Sequence, residues 1–128
     1  MELHMNNAIN WFELPVIDMA RATKFYESML AVTLKSEVFA GTPNAIFPAD
    51  DLAVGGALIY DARRRPNPDG PLVYLNAGMK LDDCLSRVSS AGGKVVLPKT
   101  DIGDPGFIAL VLDTEGNQIG LHQPRAQK

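Results

Sequence analysis

A chain of 128 residues, 46% hydrophobic and 21% charged, fits one domain with a core of its own. Its formal charge of −3 excludes the general basic footprint of a nucleic-acid binder, and no apolar run reaches the roughly eighteen residues of a membrane span. One cysteine, Cys84, excludes an internal disulfide and suits a reducing compartment. The opening MELHMNNAIN lacks the charged and apolar regions of a signal peptide, so a cytoplasmic location is expected.

The first eight residues are expected to form a loose leader, with His4 a tail residue rather than a ligand. Residues 9–16, INWFELPV, alternate as a strand. Phe12, Leu14 and Val16 share a core face, while Trp11, Glu13 and Pro15 share the other. Asp18 suits an N-cap, and a helix is predicted from Met19 to about Leu30. Ala22, Phe25, Tyr26 and Met29 fall on one stripe of it. Strands are predicted at 32–39, 45–47 and 54–60. Residues 61–70, DARRRPNPDG, break the pattern and read as a connector, with Arg63, Arg64 and Arg65 solvated in it.

The second half repeats the first. A strand is predicted at 72–77 and a helix from Leu81 to about Ala91, striped by Leu81, Cys84, Leu85 and Val88. Cys84 is therefore a packed residue rather than a reactive thiol. Gly92 is placed to close the helix in a left-handed conformation. A strand at 94–97, a loop at 98–106, and a hairpin of strands 107–112 and 119–122 complete the unit. The hairpin turn, Asp113-Thr114-Glu115-Gly116-Asn117, is polar, and Asp113 and Asn117 are read as turn formers only. Asn76 is expected to be a buried amide in need of partners. The fold class is thus α+β: two βαβββ units, about 9–61 and 71–123, forming a single domain over residues 9–123. Paired about a pseudo-twofold axis, their mixed sheets would curve around a cleft suited to a small molecule.

Three segments carry a family resemblance: DMARATKFYESML after the first strand, AGGKVV after the second helix, and DTEGNQIGL in the last hairpin. With the paired units, the chain resembles the vicinal-oxygen-chelate superfamily, the glyoxalase, bleomycin-resistance and extradiol-dioxygenase group. The resemblance implies a divalent metal held by His or Gln on the first strand, Glu on the fourth, His or Gln on the fifth and Glu on the last. Here those places fall on Trp11, Ala57, Val73 and Gly120, none of which can ligate an ion. A one-residue shift gives Gly56 or Leu58, and Leu72 or Tyr74, of which only Tyr74 is even a poor ligand. No cofactor is therefore expected, and a divalent metal only at a displaced site.

Three functions follow as expectations. The first is a metal-independent binder with an aromatic-lined cleft formed by Trp11, Ala57, Val73, Tyr74, Phe107 and Gly120, anchored by Glu13 and His122 and taking a planar or cationic ligand. The second is a glyoxalase-like lyase or isomerase. Glu13 and His122 lie two residues beyond Trp11 and Gly120, so period-2 alternation turns them to the cleft as an acid–base pair or displaced ligands. The third is a ligand-free structural or regulatory dimer. The resemblance implies a homodimer in any case, and the residues offer edge strands needing cover. Neither a nucleic acid nor a membrane is an expected partner.

Overall fold

A computed structural model describes residues 7–126; His4 lies outside them. Two βαβββ units follow one another along the chain. The first comprises β1 (Trp11–Pro15), α1 (Met19–Leu30), β2 (Lys35–Phe39), β3 (Thr42–Ile46) and β4 (Gly55–Ile59). The second comprises β5 (Tyr74–Asn76), α2 (Leu81–Val88), β6 (Lys94–Asp101), β7 (Phe107–Leu112) and β8 (Gln118–Gln123). Each forms a mixed four-stranded sheet, in the order β1-β4-β3-β2 and β5-β8-β7-β6. The first strand of each unit pairs in parallel with the last, and the remaining pairs are antiparallel. Thus β1 and β5 are equivalent edge strands of two equivalent sheets.

Helix packing follows the sequence stripes. Asp18 caps α1, its carboxylate accepting from Arg21 N–H at 3.0 Å. Ala22, Phe25, Tyr26 and Met29 are all buried, as are Leu81, Cys84 and Val88 of α2. Against them lie Leu14, Val16, Ala45 and Leu58 from the first sheet and Leu75, Ala109, Val111 and Leu121 from the second, making one core. Arg87 ties the helices together by donating to the carbonyls of Ser28 and Met29 at 2.9 and 3.0 Å. A cation there also complements the C-terminal end of α1. Burial of the Cys84 thiol raises its pKa against the opposing influence of Arg87, as expected of a packed cysteine.

Some predicted boundaries move for identifiable reasons. Strand β6 runs through Pro98 to Asp101, where a loop was expected. Pairing with β7 shifts register between Val95 and Leu97 and again between Leu97 and Thr100. A proline is tolerated there because β6 is an edge strand with an irregular ladder. Strand β3 starts early, at Thr42, because Ala40 and Gly41 both take positive φ (49° and 80°) and close a two-residue hairpin from Phe39. Strand β2 begins at Lys35, β5 keeps only three residues, and α2 ends at Val88.

The largest departure lies in the β7–β8 turn. Asp113, Glu115 and Asn117 are buried, each no more than 6% exposed. Asp113 Oδ1 accepts from the N–H groups of Glu115 and Asn117 (2.8 and 2.9 Å), and Oδ2 accepts from the Tyr26 hydroxyl at 2.6 Å. Asn117 donates to the Pro15 carbonyl at the end of β1 (2.8 Å) and accepts from Asn67 N–H in the connector (3.2 Å). Glu115 Oε1 accepts from Ile17 and Asp18 N–H at 2.8 and 2.7 Å, while Oε2 accepts from Arg21 Nε at 2.7 Å and the Thr114 hydroxyl at 2.9 Å. Asp113 and Asn117 are therefore more than turn formers: with Glu115 they fasten the second unit to the β1–α1 junction of the first. Gly116, at φ 98°, supplies the positive φ that lets the turn fold inward.

Burial opposes ionisation of Glu115, but hydrogen bonds from Arg21, Asp18, Ile17 and Thr114 outweigh it and hold the carboxyl at about 2, below its ordinary 4.5. Burial beside Asp113 pushes the Tyr26 hydroxyl well above its ordinary value. Because the folded Glu115 value is depressed, its stabilisation is complete above the unfolded pKa and disappears as pH falls toward the folded one. Glu115→Gln is expected to cost about 2–3 kcal/mol at neutral pH. It should also flatten the fall in stability between pH 4.5 and 2, as read by urea unfolding across that range.

Candidate functional site

The edges β1 and β5 do not pair with each other, and a cavity of about 860 Å³ opens between them. That is within the range of about 300–1,000 Å³ for small-molecule sites. Trp11 and Phe12 of β1 form one wall, and Leu72, Val73 and Tyr74, at and just before β5, form the other. Phe47 and Cys84 also line it, on the side of the core. Phe12 and Phe47 rings lie 5.6 Å apart, and Phe47 meets Tyr26 edge-on at 5.6 Å. Trp11 and Tyr74 are each 45% exposed, large aromatic surfaces left uncovered beside a hollow. Among the side chains lining it only Lys80 is charged, and Asn76 supplies the one side-chain amide.

A smaller cavity of about 420 Å³ lies over the first sheet, lined by Trp11, Glu13, Phe39, Asn44, Ile59 and Arg64 among others. Trp11 is a wall of both cavities. Its indole N–H donates to Glu13 Oε2 at 3.3 Å, and Arg64 forms an ion pair with Glu13 Oε1. Arg64 is set up for this by its backbone bridge to Asp61, so it is not simply a solvated connector residue.

The predicted site residues divide. Trp11, Val73 and Tyr74 come together in the larger cavity. Gly120 lies beside it, directly beneath the Tyr74 ring: a Cβ built there would fall 2.3 Å from Tyr74 Cδ1. Ala57, paired with Glu13 and Ile46, is fully buried and lines neither cavity. Phe107 shares the helix-facing side of β7 with Ala109 and Val111, covered by Lys99 and Arg125 at 4.7 and 4.8 Å from its ring centroid. It lines neither cavity because strand alternation turns it from Tyr74 and Gly120. Glu13 lines the smaller cavity only. His122 lines neither, and its Nε2 donates to the Pro105 carbonyl at 2.6 Å. Glu13 and His122 therefore have separate partners rather than a shared proton path. Asn76 is exposed, not buried, and its Oδ1 accepts from Gly78 N–H at 2.7 Å.

Strand pairing settles which positions face one another. Trp11 lies opposite Gly55 on β4, and Tyr74 opposite Gly120 on β8. Each sheet thus sets an aromatic ring against a glycine, and neither pair carries a carboxylate or imidazole. Among the described residues, no three His, Cys, Asp or Glu side chains converge as a metal-holding group. The residues at the implied metal positions do not fit a divalent ion, which needs several convergent hard or borderline donors.

A family model described as the glyoxalase/bleomycin resistance protein/dioxygenase superfamily matches residues 8–121. The chain belongs to that superfamily. It is 30% identical over 118 residues to a protein named "Putative glyoxylase CFP32" of Mycobacterium tuberculosis, covering 89% of this chain and 44% of the relative. The chain therefore spans less than half the length of the curated relatives it matches. A glyoxylase/bleomycin resistance protein/dioxygenase domain from Frankia sp. EAN1pec superposes with a TM-score of 0.71 at 15% identity, over 94% of this chain and 100% of that one. TnmS3, an antibiotic binding protein from Streptomyces sp. CB03234, superposes at 0.64 with 23% identity, over 95% and 100%. These likenesses show the fold. Among the described residues no helix is long and apolar enough to cross a membrane.

Sequence reasoning missed Lys80, Phe12 and Arg64 as residues lining the cavities. Phe12 alternates with the core and so reads as core, and Lys80 precedes a helix with no motif around it. Gly120→Ala is expected to force the Tyr74 ring aside and cost about 1–2 kcal/mol. In a Tyr74→Ala background the clash is gone, so a double-mutant cycle by chemical denaturation should show non-additivity of about 1 kcal/mol.

Proposed function

We propose that the protein binds a planar, largely apolar small molecule in the cavity between β1 and β5, without a metal ion. The observation carrying this is the pairing of Trp11 and Tyr74, two half-exposed rings on equivalent edge strands facing one hollow. Such rings stack on a flat ligand at low conformational cost. The likeness to TnmS3, an antibiotic binding protein, supports a binding role for this fold. Glu13 is unsuited as a cation anchor here, since it lies outside the larger cavity and is already paired with Arg64. The acid–base alternative through Glu13 and His122 loses support for the same reason: each is engaged elsewhere.

Trp11 is the only tryptophan in the chain, so it reports its own site. Titration with flat polycyclic compounds such as anthraquinones is expected to quench its fluorescence saturably, with or without a chelator. Calorimetry should show Tyr74→Ala weakening the same ligand roughly tenfold. Quenching that stays linear across such a panel would refute the proposal, as would saturable binding that vanishes with the chelator and returns with added metal.

A further inference from the structure

We infer that the ligand of the larger cavity is an organic anion: a flat apolar body bearing one carboxylate-like or other anionic group. This rests on the proposed binding role and adds the chemical class. The charge lining the cavity is one-sided. Lys80 contributes an ammonium, which has donors and no acceptor. Asn76 has both, but its Oδ1 is occupied by Gly78 N–H at 2.7 Å, leaving its amide N–H groups toward a ligand. The remaining thiol, Cys84, is buried, and burial holds it protonated. The Tyr74 hydroxyl and the Trp11 indole complete the polar lining, so the positive charge of Lys80 is opposed by no carboxylate of the cavity.

Two further observations bear on Lys80. Like Lys24, Arg65, Arg87 and Lys94, it forms no ion pair among the described residues. It also occupies the N-cap of α2 without a side-chain capping bond. Helix stability favours Ser, Thr, Asp or Asn there, and a cation meets the unfavourable end of the helix dipole. Local stability thus gives no reason for a lysine at position 80, but an anion beside it would. Lys80 is exposed, and as the one charged side chain lining the cavity it favours an anion over a cation there.

Three probes with one ring system test this: 2-naphthoate, 2-naphthylmethanol and 2-naphthylmethylammonium, titrated by calorimetry into the full chain at neutral pH. The anion is expected to bind at least about tenfold more tightly than the ammonium, with the alcohol between them. Lys80→Gln should remove most of that preference while leaving the alcohol's affinity unchanged, which also shows that the variant is folded. Lys80→Arg should retain it. Equal affinity for anion and ammonium in the parent chain would overturn the inference, as would an anion preference that survives Lys80→Gln. Either result leaves the binding role standing, whereas failure of all three probes to bind saturably would remove both.

Discussion

A buried polar knot holds the two units together, and the rest of the architecture depends on it. Glu115 and Asp113 bring two carboxylates into the interior, a placement that is costly unless each oxygen is satisfied. Here every one is. The donors are Ile17, Asp18 and Arg21 from the first unit, Tyr26 from its helix, and Thr114, Glu115 and Asn117 from the turn itself. Apolar packing alone joins surfaces without fixing their register, whereas these charge-assisted bonds have direction. They dictate where β1 ends relative to β8, through the bond from Asn117 to the Pro15 carbonyl.

That constraint explains how two edge strands remain apart. An unpaired edge invites another strand, and β1 and β5 would otherwise be natural partners for each other. Their sheets are instead pinned at the hairpin and across the helices by Arg87. The gap is closed by side chains, with Trp11 and Tyr74 on its outer flanks and Phe12 and Phe47 further in. The site is consequently a seam between sheets, taking residues from both strand faces, rather than the floor of one curved sheet.

Most of the fold was legible because it rests on local periodicity. The stripe of Ala22, Phe25, Tyr26 and Met29 fixed α1 and its buried face, and the matching second half gave the repeat. The family resemblance then placed Trp11, Ala57, Val73 and Gly120 near one another; Trp11, Val73 and Gly120 lie at the seam or beside it, whereas Ala57 is buried away from it. What stayed hidden depends on partners distant in sequence. Asp113 and Asn117 look like any polar turn until Tyr26, Pro15 and Asn67 are seen beside them. Asn76 looked buried because its neighbours Leu75 and Ala77 are, yet β5 is an edge and turns it outward. Phe107 looked like a wall, but alternation along β7 puts it behind the sheet. Glu13 and His122 take separate partners, Arg64 and the Pro105 carbonyl, and Arg64 gave no sign of this because its segment has no periodicity.

The glycine beneath the Tyr74 ring limits how this seam can be rebuilt. A carboxylate cannot be placed at position 120 by a single replacement, because the phenol fills the space where its first carbon would sit. On the other sheet, a side chain at Gly55 would begin 3.4 Å from the Trp11 indole, an ordinary contact. Building an ion-gripping corner on the second sheet thus demands coordinated change on two strands, at Gly120 on β8 and Tyr74 on β5.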